Sequence, residues 1–167
     1  MGDAIRFGLL YGAGLCAFMG ALIYASLRQN PYIWLSDAPR DVQARIGPVD
    51  ARTKRQKRAW GLVMAIGLVG LFGALAWQVW PSGALATFVA AYVCFQTFNL
   101  FDALVIDIGL VVLKPPWALP PGSEDSPSYR DPVWHLVNYG KGVVLGVPFA
   151  GVVCGAAWAV DAVWPLG

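Results

Sequence analysis

Four long apolar runs, separated by polar or proline-rich stretches, dominate the pattern of hydrophobic and polar positions along the chain. They cover roughly residues 5–27, 59–80, 84–113 and 132–163. A helix crosses the hydrocarbon core of a bilayer with ~20 residues at about 1.5 Å each, so every run is long enough. The runs are apolar on all sides, which favours helices in lipid over a soluble four-helix bundle. Residues 1–167 are therefore predicted to form a single transmembrane domain.

Composition agrees with this interpretation. The chain is 57% hydrophobic and 13% charged, whereas soluble domains carry about 25% charged residues. The runs lack the period-two alternation of membrane strands, so the predicted fold class is all-α, an integral-membrane four-helix bundle. Only loops remain outside the runs, which excludes a soluble catalytic domain. The function has to lie in the helices and their loops.

The distribution of basic residues predicts the orientation of the bundle. Ten Lys or Arg residues lie in or beside the loops 28–58 and 114–131, whereas the connection at 80–83 has none and Arg6 is alone on its side. By the positive-inside rule, both loops are expected in the cytoplasm. We therefore predict a multi-pass protein of the bacterial inner membrane with both termini in the periplasm.

The first loop contains the pattern of a short cytoplasmic amphipathic helix. Residues 36–47 combine a capping serine, an early proline, an acidic first turn and a closing glycine, which are helix start and stop signals. Val42 and Ile46 lie four residues apart and form one apolar stripe. A surface helix that orders the long loop is the simpler interpretation, and an interfacial helix or a docking site stays open as the alternative.

A run of basic residues lies directly before the second apolar run. Its members are Arg52, Lys54, Arg55, Lys57 and Arg58. A basic cluster beside a membrane helix fixes topology and attracts anionic lipid of the cytoplasmic leaflet. We therefore expect membrane lipids as partners of this run, and no nucleic acid.

Polar side chains inside the third and fourth runs form the candidate site. They are Gln96, Asn99, Asp102, Asp107, His135, Asn138 and Lys141. An ionisable residue in a span costs about 2.5–3.5 kcal/mol on insertion scales and is usually directed at a cavity or the bundle interior. Counting from the cytoplasmic helix ends predicts Asp102 beside Lys141, and Asp107 nearer His135. The cluster is either a buried ion pair with bonded amides that fixes helix register, or a proton relay or ligand site.

Motifs of soluble enzymes are missing, so no catalytic residue and no cofactor is predicted. Residues 12–17 formally match a dinucleotide-binding fingerprint, but they lie inside an apolar run rather than after a strand. Cys16, Cys94 and Cys154 lack metal-ligand spacing, and too few histidines or carboxylates converge for a metal site. No metal is therefore predicted.

Glycines four residues apart recur in the apolar runs, where they allow helix backbones to approach closely. Three such pairs are Gly8 with Gly12, Gly142 with Gly146, and Gly151 with Gly155. With four helices in one chain, packing within the monomer is the favoured interpretation. A dimerisation face is the alternative.

Several short motifs together resemble an uncharacterised family of small four-helix bacterial inner-membrane proteins. The motifs are Asn30-Pro31, residues 37–43, Asn99-Leu100-Phe101-Asp102 with Asp107, residues 121–124, and His135 through Gly142. The resemblance covers about residues 30–142. It implies that the two aspartates belong to a recurring pattern, and it implies no substrate.

These observations lead to one expected function and two alternatives. We expect a non-catalytic inner-membrane helical bundle, an assembly, interaction or structural component of a membrane complex, with a membrane-protein partner or a second copy of the chain. The first alternative is a small proton-coupled transporter or channel-like oligomer that uses Asp102, Asp107 and His135. The second is an intramembrane enzyme acting on a lipidic substrate through the same cluster.

Overall fold

The computed structural model describes residues 1–113 and 119–164, which form helices and no strands. Four helices are long and apolar enough to cross a membrane. The helices are α1 (Gly2–Gln29), the short α2 (Arg40–Ile46), α3 (Ala51–Val79), α4 (Ala84–Phe101) and α5 (Pro132–Val163). A 3₁₀ turn at Trp80–Ser82 follows α3, and a π-helical segment, Asp102–Val112, continues α4. The prediction of an all-α chain with four long apolar helices is confirmed.

Helix α4 lies at the centre of the bundle. It packs most extensively against α1 and α5 and also contacts α3. The outer faces of the helices carry large aliphatic side chains, such as Val69, Val144 and Val152, which are 75%, 70% and 70% exposed. An apolar surface of this extent suits hydrocarbon rather than water.

Close packing of α1 on α4 depends on one predicted glycine pair. A Cβ atom on Gly12 would lie 2.6 Å from Thr97 Cβ, and one on Gly8 would lie 2.8 Å from the carbonyl oxygen of Ala90. These distances leave no room for a side chain. The first glycine pair therefore packs within the chain, as favoured from the sequence.

Helix α3 begins at Ala51, eight residues before the start predicted for the second span. The Asp50 carboxylate caps it by accepting the backbone N–H of Thr53 at 2.7 Å, a hydrogen bond that lowers the pKa of Asp50. The Asn30 side chain, at the end of α1, donates to Thr53 Oγ1 and Gln56 Oε1 at 3.0 and 2.8 Å. The basic run therefore lies on the first two turns of a helix, and the span boundary at 58 stays a prediction.

Helix α2 occupies the later part of the segment predicted to be helical. It begins after Pro39, without a side-chain cap from Ser36, and ends at Gly47 with φ at 80°. Val42 is fully buried and packs with Leu35 and Tyr129. Because Val42 is buried within the protein, its apolar side chain is no evidence that α2 contacts a membrane surface. That contact stays a prediction.

The second loop folds back onto the first. The buried Ser126 hydroxyl donates to the Asp41 carboxylate, and this hydrogen bond lowers the pKa of Asp41. Burial raises the pKa of Tyr129 to about 12. The two loops thus form a cover over one end of the bundle, which we call the loop end. Residues 114–118, the first part of the predicted loop 114–131, lie outside the described residues.

Candidate functional site

The π-helical segment places two aspartates on one face. The backbone N–H of Leu113 donates to the carbonyl of Ile108 at 2.9 Å, a bond that spans five residues instead of four. At about 100° per residue, an α-helix would turn Asp102 and Asp107 about 140° apart. A helix with five-residue hydrogen bonds turns less per residue, which brings positions five apart closer together, and π-helical turns occur frequently at functional sites. Both aspartates therefore reach the same cavity.

That cavity lies at the loop end, has a volume of about 380 Å³, and is lined by residues from α1, α3, the π-helical segment, α5 and both loops. Four of the predicted polar residues line it: Asp102, Asp107, His135 and Asn138. Its walls are otherwise mainly aliphatic and aromatic. We call it the loop-end cavity.

His135 and Asp107 form the closest charged contact in the cavity. The His135 side chain is 2% exposed, and its Nδ1 lies 3.1 Å from Asp107 Oδ2. Its Nε2 lies 3.4 Å from the carbonyl oxygen of Tyr129. Within the described part of the chain, Nδ1 has no hydrogen-bond partner of good geometry. Nδ1 and the Asp107 carboxylate are therefore close enough for an ion pair but are not hydrogen-bonded. The expectation that Asp107 lies near His135 is confirmed.

The expected ion pair between Asp102 and Lys141 is not present. Lys141 is exposed, and its Nζ donates to Asn138 Oδ1 at 3.0 Å. Asp102 is half-buried and lines the loop-end cavity together with Asp107 and His135. Counting residues gives the height of a side chain along its helix but not the direction in which it points. A long lysine side chain on an outer face can also extend towards water.

Gln96 and Asn99 join α4 to α5 and lie outside the loop-end cavity. Asn99 Nδ2 donates to the carbonyl of Tyr139 at 3.2 Å and to Gln96 Oε1 at 3.1 Å. The Gln96 amide donates to the carbonyl of Val143 at 3.3 Å. Both amides lie against the second glycine pair, Gly142 and Gly146 in α5, where any Cβ atom would overlap them. These two predicted site residues therefore act in helix packing.

The basic run divides into two groups. Arg52, Lys54, Arg55 and Arg58 are exposed, so they are free to meet lipid. Lys57 is half-buried, and its Nζ lies 2.9 Å from Asp37 Oδ2 and 5.4 Å from the centre of the Trp34 ring. Lys57 thus holds the first loop against α3, which the sequence did not indicate.

The loop residues that line the cavity were missed from the sequence, among them two aromatic residues and one aspartate. Trp34 and Asp37 come from the first loop, and Tyr129 comes from the second. Each contributes through tertiary docking of a loop, which leaves no local pattern in the sequence. Asp37 belongs to residues 37–43, one of the motifs of the family resemblance, and this was the only feature of the sequence that drew attention to it.

The chemistry available at this site is acid–base chemistry and cation binding. A carboxylate beside an imidazole can exchange a proton, and carboxylates with aromatic rings attract positive charge. Across residues 1–113 and 119–164, no three His, Cys, Asp or Glu side chains come close enough to hold a metal ion. No protein-family model, curated protein or solved structure matches the chain.

Proposed function

We propose that this chain is a multi-pass bacterial inner-membrane bundle without catalytic activity, an interaction component of the membrane whose binding site is the loop-end cavity. The observation that supports this proposal is the convergence of Asp102, Asp107, His135 and Asn138 on one cavity of about 380 Å³. Small-molecule sites are concave, mainly apolar and supplied with a few polar groups, as this cavity is. Polar residues placed in a span at an energetic cost are usually functional.

Filling the cavity is expected to remove its occupant. Ile106 lines the cavity and is 7% exposed, whereas its neighbour Val105 is 47% exposed on the outer face. Native mass spectrometry of protein purified from its own membranes should detect a bound small molecule in the parent and in Val105→Trp. In Ile106→Trp the affinity for the occupant should fall about tenfold, which corresponds to about 1.4 kcal/mol, and the occupied fraction should fall with it.

Two results would overturn the proposal: a parent without any occupant, or Ile106→Trp with the same occupancy as Val105→Trp. Circular dichroism and gel filtration establish that each variant is folded. If Ile106→Trp is misfolded, Ala38→Phe fills the same cavity from the first loop.

A proton-coupled transporter or channel-like oligomer is the second candidate. The distance of 3.1 Å between His135 Nδ1 and Asp107 Oδ2 favours it, because such a pair can relay protons while Asp102 lines the same cavity. Proton flux into vesicles that contain the parent chain, abolished by Asp102→Asn, would place this candidate first. The enzyme acting on a lipidic substrate stays a prediction.

We place the loop end in the cytoplasm, where the exposed Arg52, Lys54, Arg55 and Arg58 contact anionic lipids. The exposure of all four side chains at that end supports this proposal. A membrane-protein partner or a second copy of the chain is part of the same proposal.

Cysteine labelling tests the orientation. Ser82 and Asp125 are exposed at opposite ends of the bundle. In intact spheroplasts, a membrane-impermeant maleimide should label Ser82→Cys and should label Asp125→Cys only after permeabilisation. The parent chain, with its three native cysteines, sets the background. The reverse pattern would contradict periplasmic termini.

A further inference from the structure

We infer that the loop-end cavity takes a monovalent organic cation with a compact apolar body, such as the protonated form of a hydrophobic primary amine. This inference rests on the proposed function and names the class of its ligand. Three features of the cavity support it: the balance of charge, the aromatic rings and the unsatisfied imidazole nitrogen.

The charge of the lining residues is negative. Asp37, Asp102 and Asp107 line the cavity, and the described lining residues include no Lys or Arg. Asp37 is compensated by Lys57 at 2.9 Å, and a protonated His135 would compensate Asp107. None of the ion pairs formed among residues 1–113 and 119–164 includes Asp102. Asp102 therefore has no cationic partner among the described residues.

Aromatic rings surround these carboxylates. Trp34, Tyr129 and Trp134 all line the cavity. A cation within about 6 Å of a ring centre is attracted by the negative face of the ring. The Trp34 ring already attracts one cation, since Lys57 Nζ lies 5.4 Å from its centre. Rings combined with carboxylates select positive charge, whereas an anion would be repelled by both.

The imidazole of His135 offers a second, independent indication of a ligand. Its Nδ1 is buried in the cavity wall without a hydrogen bond of good geometry to any described residue. When a neutral ring donates through Nε2 to the Tyr129 carbonyl, Nδ1 and Asp107 Oδ2 become two acceptors that face each other. A primary ammonium group that lies beside both atoms would donate one N–H to each.

The remaining wall fits an apolar body. Ile23, Leu27, Met64 and Ile106 line the cavity and are buried or half-buried. Apolar ligand atoms gain free energy when such a wall removes them from water, at about 25 cal/mol per Å². A volume of about 380 Å³ suits a compact molecule rather than a long chain.

Matched probes test the inference on the full chain in phosphatidylcholine nanodiscs by isothermal titration calorimetry. The probes are benzylammonium, its neutral isostere ethylbenzene, and the anion phenylphosphonate. The cation should bind at least ten times more tightly than either of the others. Asp102→Asn should weaken cation binding about tenfold and leave the neutral probe unchanged, and Asp102→Glu should retain most of the cation affinity.

The control variant is Asp3→Asn, which makes the same change at an exposed carboxylate at the other end of the bundle and should have no effect. Equal affinity for the cation and the neutral isostere would overturn the inference, as would unchanged cation binding in Asp102→Asn. If the parent binds none of the probes, the inference is also wrong. The proposed function fails separately, through an empty cavity in natively purified protein.

Discussion

Gly142→Ala is expected to destabilise the bundle by about 1–3 kcal/mol, the usual cost of forcing an extra group into a packed interior. The new Cβ atom would overlap the Asn99 amide. Asn99 would then have to turn away, which would break its hydrogen bonds to the Tyr139 carbonyl at 3.2 Å and to Gln96 Oε1 at 3.1 Å. Both the steric strain and the lost hydrogen bonds lower the free energy of unfolding.

Gly140→Ala is the matched control for this variant. Gly140 lies two residues earlier on α5, and a Cβ atom there meets nothing within 4 Å. Because alanine is the better helix former by about 1 kcal/mol, Gly140→Ala should be neutral or stabilising. Unfolding of both variants in detergent micelles, followed by circular dichroism, measures the difference. Equal stabilities would show that α4 and α5 do not approach closely at Gly142.

Asp107 and His135 are expected to be energetically coupled, by about 0.5–3 kcal/mol in a double-mutant cycle. Asp107→Ala leaves a buried imidazole nitrogen without its carboxylate, at a cost of about 1–3 kcal/mol. His135→Phe keeps the ring volume and removes both nitrogens. If the contact at 3.1 Å is an interaction, Asp107→Ala should cost less once His135 is phenylalanine. The free energies of unfolding of the four chains give the coupling.

Asp102 and Lys141 provide the reference cycle. Lys141 is exposed and bonded to Asn138, so Asp102→Asn and Lys141→Met should be additive within about 0.3–0.5 kcal/mol. Coupling of more than 1 kcal/mol there would restore the ion pair first expected from the sequence. Additivity in the Asp107 and His135 cycle would instead mean that their proximity contributes no stability.

The four long helices could be predicted because hydrophobic length is a property of a continuous stretch of sequence. The start of α3 could not be predicted in this way, because its first two turns consist of polar residues that are not part of the apolar run. Asp50 and Thr53, which cap that helix, did carry a local marker of the boundary.

The candidate site was partly predictable because buried polar residues stand out in an apolar background. The π-helical segment determines which of these polar residues face each other. Its extra residue per turn could not be predicted from hydrophobicity alone. The contributions of Trp34, Asp37 and Tyr129 were out of reach for another reason. Their positions follow from the docking of two loops that are far apart in the sequence.

The docking of the second loop on the first also bears on how the protein is made. The wall of the cavity draws on residues from Ile23 to Asn138, and the Ser126 hydroxyl reaches back to Asp41. A chain that is made from its N-terminus has no complete cavity until α5 is in place. A ligand that binds this cavity would therefore stabilise only the complete protein and leave truncated chains unprotected.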